Sequence, residues 1–441
     1  MDRSEGLGYK GRMTRPRPSS SGSTAFVPGT ELPGLRGRGF ALLIAATAIG
    51  LCGFAAVLPL VPLWATRGGV GEFGAGTTTA VFMLTTVLTQ LGMPWLLDRG
   101  AYRWAFPVGS LILGLPTPLF AATTDLGPLI TVSAVRGIGF GMVTVAGTAL
   151  AARLVPRAQL GRATGLYGLA VGLPQVVILP GGVAVALAVG FGPVFWVTGA
   201  TGVIAAVLAS GIWFADGGRN RPALRPAPTS GDPASHADAP RGLRLWAALA
   251  SPLLMMLLVA VSASSIVTFL AIPFERAAWL VSAALAVYAL CVVVGRWTAG
   301  SLYDQYGRTV LLMPAMVSGA LGMGLVTAAM WTDVGSGHPG LATTALILGG
   351  AALFGLGFGS VQNDTVTIML DRAGASGQGR ASAVWNIGYD AGTGAGAMGL
   401  GLLIQLLGYG PAFAVTAVAL LALVPLTLRT GVRRPSGTVH R

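Results

Sequence analysis

The chain alternates between long uncharged apolar runs and short segments that hold nearly all of its charges. In the first half, the uncharged runs cover residues 40–66, 73–97, 104–124 and 163–214, and the run 126–152 is interrupted only by Arg136. A membrane-spanning helix needs about 20 predominantly apolar residues. The run 163–214 is long enough for two spans, and the turn sequence Gly-Phe-Gly-Pro at 190–193 divides it. The first half therefore predicts six spans.

The second half repeats this pattern after a polar segment. Residues 215–244 are rich in Pro, Ala, Ser and Arg and predict a hydrophilic central loop. Six apolar runs follow, at 245–273, 278–302, 310–331, 341–369, 381–407 and 411–428. Their charged residues are Arg296, Asp364 and Asp390. The pattern predicts an all-α integral membrane protein with twelve transmembrane helices in two six-helix bundles.

This pattern also predicts the domain boundaries. We expect a disordered cytoplasmic tail (1–38), an N-terminal bundle (39–214), a cytoplasmic central loop (215–244), a C-terminal bundle (245–428) and a second cytoplasmic tail (429–441).

The composition excludes several classes of protein. Hydrophobic residues make up 53% of the chain and charged residues only 10%, whereas soluble domains have about 25% charged residues. A soluble enzyme, a secreted disulfide scaffold and a disordered chain are thereby excluded. The cysteines, Cys52 and Cys291, lie in apolar runs and the three histidines are scattered, so we expect no metal site.

The net charge is +13, and the positions of the basic residues predict how the chain is oriented in the membrane. Of the 28 basic residues, 24 fall on one side if both termini share that side, and only Arg67 and Arg276 fall in loops of the other side. Basic loops face the cytoplasm, so we predict cytoplasmic termini. No continuous basic face is available for nucleic acid, and we expect no nucleic-acid partner.

The two halves match at a constant offset of 218 residues. The glycine-rich segment 137–141 aligns with 355–359, the segment 161–164 with 379–382, and the turn 190–193 with 408–411. Two six-span repeats enter the membrane from the same side, so they are parallel repeats about an axis along the membrane normal. Repeats of this kind indicate a transporter with its site between the halves at mid-membrane.

A motif in the second half resembles the signature of the major facilitator superfamily. Residues 300–308, Gly-Ser-Leu-Tyr-Asp-Gln-Tyr-Gly-Arg, match G-x-L-x-D-x-x-G-R and are preceded by Arg296. The equivalent segment 97–103 keeps the acid and the bases but has Pro94 in place of the leading glycine. The segment beginning at Arg136 resembles the fourth helix of the family. The resemblance covers residues 40–428 and extends to the bacterial exporters of drugs and metabolites.

The resemblance implies a gate at the cytoplasmic side. Its residues would be Asp98, Arg99, Arg103, Arg296, Gly300, Asp304, Gly307 and Arg308. Aspartates in this position can face the positive N-terminal end of another helix. By symmetry, Asp98 would serve the eleventh span and Asp304 the fifth, and these contacts would hold the cytoplasmic side shut. The alternative is that both aspartates only mark helix ends in water.

Ionisable residues inside the spans are candidates for energy coupling. The chain has no G-x-x-x-x-G-K-[ST] motif for ATP, so we expect a proton gradient and no cofactor. Buried ionisable residues are costly and usually functional, which selects Asp390 first, then Asp364, together with Arg136. Arg136 would either bind an anionic substrate or compensate Asp390, pairing with it and separating as the halves move. The alternative for Asp390 is a buried polar contact near Asn386.

An amphipathic cavity is predicted from polar and aromatic residues within the spans. The candidate lining residues are Gln175, Gln362, Asn363, Trp385, Asn386 and Tyr389, joined by Phe140 and Phe358. Aromatic residues in membrane helices also commonly pack against neighbours or lipid. In the fifth span an exporter-type glycine pattern is only partial, which leaves the transport direction open.

These features together predict proton-coupled efflux of small amphipathic compounds by a functional monomer in the bacterial plasma membrane. Proton-coupled import of a nutrient or organic anion is the first alternative. An integral membrane lipid-modifying enzyme is a remote one, because such enzymes need clustered acids or histidines that this chain does not have.

Overall fold

The computed structural model describes residues 34–214, 243–332 and 338–430. The predicted tails and central loop therefore lie, for the most part, outside the described residues. The helices of the first half are α1 (Arg38–Arg67), α2 (Glu72–Asp98), α3 (Tyr102–Gly114, extended by the 3₁₀ turn Thr117–Ala122), α4 (Leu126–Arg153), α5 (Leu160–Val189) and α6 (Phe191–Phe214).

The second half has the same order of elements. Its helices are α7 (Leu243–Ser264, extended by the π-helical turn Ser265–Phe269), α8 (Ala278–Tyr306), α9 (Leu312–Ala329), α10 (Leu341–Gly374), α11 (375–407) and α12 (Tyr409–Thr430). The helical stretch Leu341–Leu407 divides into α10 and α11 at Gly374, whose φ of 65° and ψ of 174° are not helical. Within the described ranges, eleven helices are long and apolar enough to span a membrane. The remaining one, α11, carries Asn386, Asp390 and Gln405. The predicted all-α membrane fold is confirmed.

Glycines set the matching turns of the two halves. Gly190 between α5 and α6 has a φ of 99°, and Gly408 between α11 and α12 has a φ of 85°. Such positive values suit glycine because it has no Cβ. Each predicted turn is thus a sharp reversal between two antiparallel helices.

The internal repeat is also visible in the packing of α4 and α10. A Cβ on Gly137 would lie 2.2 Å from the Phe82 carbonyl oxygen of α2, and one on Gly355 would lie 2.6 Å from the Tyr288 carbonyl oxygen of α8. The glycines two residues later, Gly139 and Gly357, approach α3 and α9 as closely. Small residues let helices pack at short distance in membranes. Each half therefore packs its fourth helix in the same way.

Among the described residues, the apolar contact between the two halves is concentrated toward one end of the molecule. We call the end where α1 begins and α12 ends the inner end, and the opposite end the outer end. One apolar core joins both halves toward the outer end, with Leu60 of α1, Val183 of α5 and Leu280 of α8 among its members. Toward the inner end, the core of the first half contains no residue of α7–α12 in the described chain. The molecule is therefore closed outside and open inside.

The inner half of α5 shows this opening directly. A Cβ added to Gly165, Gly168 or Gly172 would meet no atom within 4 Å. These are the glycines of the partial exporter-type pattern. They line open space rather than a helix contact in this conformation.

Candidate functional site: a cavity between the two halves

A cavity of about 220 Å³ lies between the halves, at the inner edge of the outer closure. Helices α1, α2, α4 and α5 supply its wall on one side, and α8, α10 and α11 supply the other. It has the position that the parallel repeat predicts for a transport site.

Two groups of stacked aromatic rings form the apolar walls. On the first half, Phe54 and Phe140 stack with ring centroids 4.2 Å apart and planes 17° apart. On the second half, Trp385 and Tyr389 stack at 6.1 Å and 13°, and Tyr389 continues to Phe358 at 6.2 Å. Flat apolar walls of this kind suit an organic molecule with a ring or a hydrocarbon body.

Asp390 of α11 is a buried acid on this cavity, with 5% of its surface exposed. Gln90 of α2 donates a hydrogen bond from Nε2 to Asp390 Oδ2 at 2.7 Å. The same amide nitrogen lies 3.3 Å from Thr144 Oγ1 of α4. The acid of one half is therefore held by an amide of the other half.

The charged residues among those that line the cavity are Asp390 and Arg296. Arg296 lies in α8, and its side chain is exposed. It forms no ion pair with another residue in the part of the chain that the structure describes. The two charges are of opposite sign, and neither neutralises the other through direct contact.

Most of the predicted cavity residues meet at this site. Gln175, Gln362, Trp385, Asn386 and Tyr389 all line the cavity, as do Phe140 and Phe358. Asn363 does not; its side chain lies beside Gly300, where an added Cβ would be 3.6 Å from Asn363 Oδ1. The sequence reasoning missed Gln90, Thr144 and Tyr288. Gln90 could have been found as an amide within an otherwise uncharged span.

Arg136 does not reach the cavity. Its Nε donates hydrogen bonds to the Leu113 carbonyl and to Thr117 Oγ1, both at 3.0 Å. The guanidinium also lies 5.5 Å from the ring centroid of Phe120 and 5.7 Å from that of Phe82. In this conformation the structure therefore joins Arg136 to α3 and does not bring it to Asp390.

Asp364 also lies outside the cavity lining. It is completely buried in α10, and both of its carboxyl oxygens have no hydrogen-bond partner among the described residues. Thr365, the next residue, accepts a hydrogen bond from Trp385 Nε1 at 3.0 Å. Asp364 is therefore enclosed within the second half and does not join Asp390 on the cavity.

Most of the predicted gate residues lie around the inner ends of α2 and α8, but Arg296 lies on the cavity wall instead. Asp98 ends α2 and Asp304 lies in the last turn of α8, and both are exposed. Neither makes an ion pair or hydrogen bond with another described residue. Gly307 has a φ of 65° and ends α8 through its N–H to the Tyr303 carbonyl. Arg308 is exposed beside it, while Arg99 packs over Trp95 and Arg103 over Trp104.

The outer end is closed by several contacts between the halves. Arg67 pairs with Glu275. The Tyr409 hydroxyl lies 3.3 Å from Glu72 Oε1, and Gln405 Oε1 accepts the backbone N–H of Phe73 at 3.3 Å. A Cβ on Gly76 would overlap the carbonyl oxygen of Ala397, so α2 and α11 are in backbone contact.

Two similar halves around a cavity that is closed at one end and open at the other define a secondary membrane transporter. The sequence profile of the Major Facilitator Superfamily matches residues 43–377. The chain belongs to this family, and it is a transporter rather than an enzyme. No curated protein sequence matches it.

Solved transporter structures share the fold. The nucleoside transporter NupG is 12% identical, with a TM-score of 0.64, over 89% of this chain and 98% of its own. A bacterial homologue of the human lysosomal transporter Spinster, inward-facing and occupied, is 16% identical, with a TM-score of 0.67, over 88% and 97%. A POT family transporter in complex with 5-aminolevulinic acid is 14% identical, with a TM-score of 0.66, over 89% and 96%. At these identities the similarity concerns the fold alone.

Proposed function

We propose that the protein exports small amphipathic organic compounds, such as drugs or secondary metabolites, in exchange for protons. The observation that carries the proposal is Asp390, a buried acid on the cavity whose hydrogen bond crosses from one half to the other. A proton and a substrate group that donates a hydrogen bond both need this carboxyl group. Protonation removes the charge that strengthens the hydrogen bond to the substrate, so binding of one disfavours binding of the other, and this competition is the condition for exchange.

The aromatic walls support the amphipathic character of the substrate. Phe54 and Phe140 face the cavity from one half, and Trp385 and Tyr389 from the other. Gln175 of the first half and Gln362 and Asn386 of the second half add neutral hydrogen-bonding groups to the lining. A molecule with one apolar body and few polar groups would satisfy this lining.

The cavity lies between two halves that could open at either end, so we propose transport by alternating access. In the inward-open conformation the cavity exchanges substrate with the inner side. Rocking of the halves would part the outer contacts and close the inner end, where Asp98 and Asp304 would then meet the starts of α11 and α5. We assign the inner side to the cytoplasm of a bacterium, and we propose a functional monomer that uses the proton gradient without a cofactor.

Arg296 favours a second candidate, proton-coupled import of an organic anion. Its exposed guanidinium lies on the cavity wall without an acidic partner among the described residues. An ionised Asp390 would repel an anion at this site, so an anion and a proton would bind together and move in the same direction. The two candidates therefore differ in whether the substrate and the proton move in opposite directions or in the same direction.

The test begins with a growth-inhibition and uptake screen in a host that lacks its own exporters. A compound identified in this way is then loaded into proteoliposomes with an imposed pH gradient. We expect wild-type protein to move it uphill against proton flow, and Asp390→Asn to lose uphill movement while it keeps downhill exchange. Asp364→Asn is the matched control and should retain at least half of the uphill rate.

Full uphill transport by Asp390→Asn would exclude Asp390 as the proton carrier, and Asp364 would become the next candidate. Loss of both uphill and downhill movement would instead indicate a role in binding or folding. Movement of an anionic compound together with protons, abolished by Arg296→Gln, would establish the second candidate.

A further inference from the structure

Gln90 is the residue through which the first half reaches Asp390. It lies in α2, is 7% exposed and lines the cavity. Its bond to Asp390 is the one hydrogen bond that this carboxyl group makes with the described residues. Among the residues that line the cavity, Gln90 is therefore the one whose hydrogen bond depends on whether Asp390 carries a proton.

The orientation of the Gln90 amide favours the ionised form of Asp390. Nε2 faces Asp390 and Thr144, whereas Oε1 is buried without a hydrogen-bond partner. Leaving a buried carbonyl oxygen unpaired has a cost. A hydrogen bond to an ionised acceptor is about twice as strong as one between neutral groups. The orphaned oxygen is thus best tolerated while Asp390 is a carboxylate.

The other groups around Asp390 do not take over this role. Arg296 and Tyr288 face the cavity from α8, Gln362 faces it from α10, and Tyr389 lies next to Asp390 on α11. None of these four makes a hydrogen bond or ion pair to Asp390 within the described residues. From α1, α4 and α5 the lining residues are uncharged.

The bond belongs to the inward-open conformation. The remaining close contacts between α2 and α11 lie toward the outer end, where Gly76 meets Ala397 and a Cβ on Gly394 would be 2.8 Å from Met83 Cβ. When the outer end opens, α2 and α11 must move apart. The bond between Gln90 and Asp390 joins side chains of opposite halves, and we expect it to break in that movement.

We propose that Gln90 is a positioning residue for coupling: in the inward-open conformation its amide weakens proton binding to Asp390 and so favours proton release to the inner side. This inference rests on the proposed function, in which Asp390 carries the proton. In the outward-open conformation the donor is withdrawn and Asp390 takes up a proton from the outer side. The hydrogen bond between Gln90 and Asp390 would form in one conformation and break in the other, and this alternation would set the direction in which protons move.

The experiment measures proton binding to Asp390 directly. Cys52 and Cys291 are first replaced by alanine, and Arg67→Cys with Glu275→Cys, where the native side chains are in contact, is joined by a short bifunctional thiol cross-linker that locks the outer end shut. The infrared band of the protonated carboxyl group, identified by its loss in Asp390→Asn, is then titrated in nanodiscs. Gln90→Met keeps the side-chain size and removes the amide donor. Thr144→Val removes only the second partner of the amide.

We expect Gln90→Met to bind the proton about tenfold more tightly than wild type in the locked conformation, since hydrogen bonds to charged groups have about this strength. Thr144→Val should leave the titration unchanged. An unchanged titration in Gln90→Met would overturn the proposal. So would an equal change in both variants, because general cavity polarity would then be responsible.

A second variant covers the case in which Gln90→Met does not fold. Gln90→Glu keeps the shape and places two carboxyl groups in contact, so the Asp390 band should titrate in two steps. A single step identical to wild type would refute the proposal. If the Gln90 variants behave as expected but Asp390→Asn still transports uphill, the proposed coupling fails and the role of Gln90 in proton affinity stands.

Discussion

Arg67, the last residue of α1, pairs with Glu275 in the segment between α7 and α8 and so ties the two halves together at the outer end. The same guanidinium lies over the ring of Phe191 in α6, 4.7 Å from its centroid. The contact joins α1 and α6 of the first half to the segment before α8 of the second half, and the two halves would separate here when the outer end opens.

Weakening this pair should shift the protein toward the outward-open conformation. Arg67 and Glu275 are about one-third exposed, at 36% and 30%, and exposed pairs contribute only about 0.2–1 kcal/mol. We therefore expect Arg67→Gln to change the population by roughly 1.4- to fivefold, measured by spin-label distances across the outer end. The charge-swapped pair Arg67→Glu with Glu275→Arg should restore the wild-type distribution. High salt should reproduce the effect of Arg67→Gln, and no shift in either condition would contradict this role.

The gate aspartates are expected to act in the conformation opposite to the one described. Asp98 and Asp304 are exposed at the inner end and face no described partner while that end is open. Asp98→Asn combined with Asp304→Asn should leave expression intact and slow transport, because the closed inner end loses both charges. Asp125→Asn, an exposed acid at the start of α4 on the outer end, is the control. An unchanged transport rate in the double variant would reduce both aspartates to helix-end residues.

Arg136 is expected to stabilise the first half. It is 4% exposed, and its removal would take the guanidinium donor from Thr117 Oγ1 and from the Leu113 carbonyl, which would keep only the Thr117 hydroxyl as a side-chain donor, at 3.1 Å. We expect Arg136→Met to lower the free energy of unfolding by about 1.5–3 kcal/mol, seen as a lower thermal unfolding temperature in detergent. Thr117→Val should have a smaller effect. Normal stability with loss of anion binding would instead support the substrate-binding role considered from the sequence.

The membrane orientation has its own test. The basic loops predict that reporter fusions after residues 230 and 435 are cytoplasmic, since both lie on the arginine-rich side. A fusion after residue 69, between α1 and α2, should report the opposite side. A periplasmic signal at 230 or 435 would overturn the predicted orientation.

The fold could be predicted from the sequence because whether a segment spans a membrane depends on its own length and composition. A backbone in hydrocarbon must satisfy its own hydrogen bonds, so each uncharged run of sufficient length becomes a helix. The pairs of matching glycines, such as Gly137 and Gly355, likewise indicated the repeat before the packing of α4 and α10 was known. The family assignment followed from the segment 300–308.

The site could be predicted only in part. Asp390 and Asn386 are one turn apart, and a helix places such residues on one face, so their common presence on the cavity followed from spacing. Asn363 follows Gln362 directly and lies on another face, outside the lining. Periodicity alone does not say which face of a helix is turned toward the cavity.

The sequence by itself thus determined the number of spans, their repeat and the identity of the residues inside them, since burial in lipid depends on local composition. The tertiary structure decided which of those residues meet. It joined Asp390 to Gln90 across 300 positions of the chain, left Arg296 exposed on the cavity, and bound Arg136 to α3. These partnerships depend on the rotation of each helix and on which end of the molecule is closed, and both are properties of the packed halves rather than of any one segment.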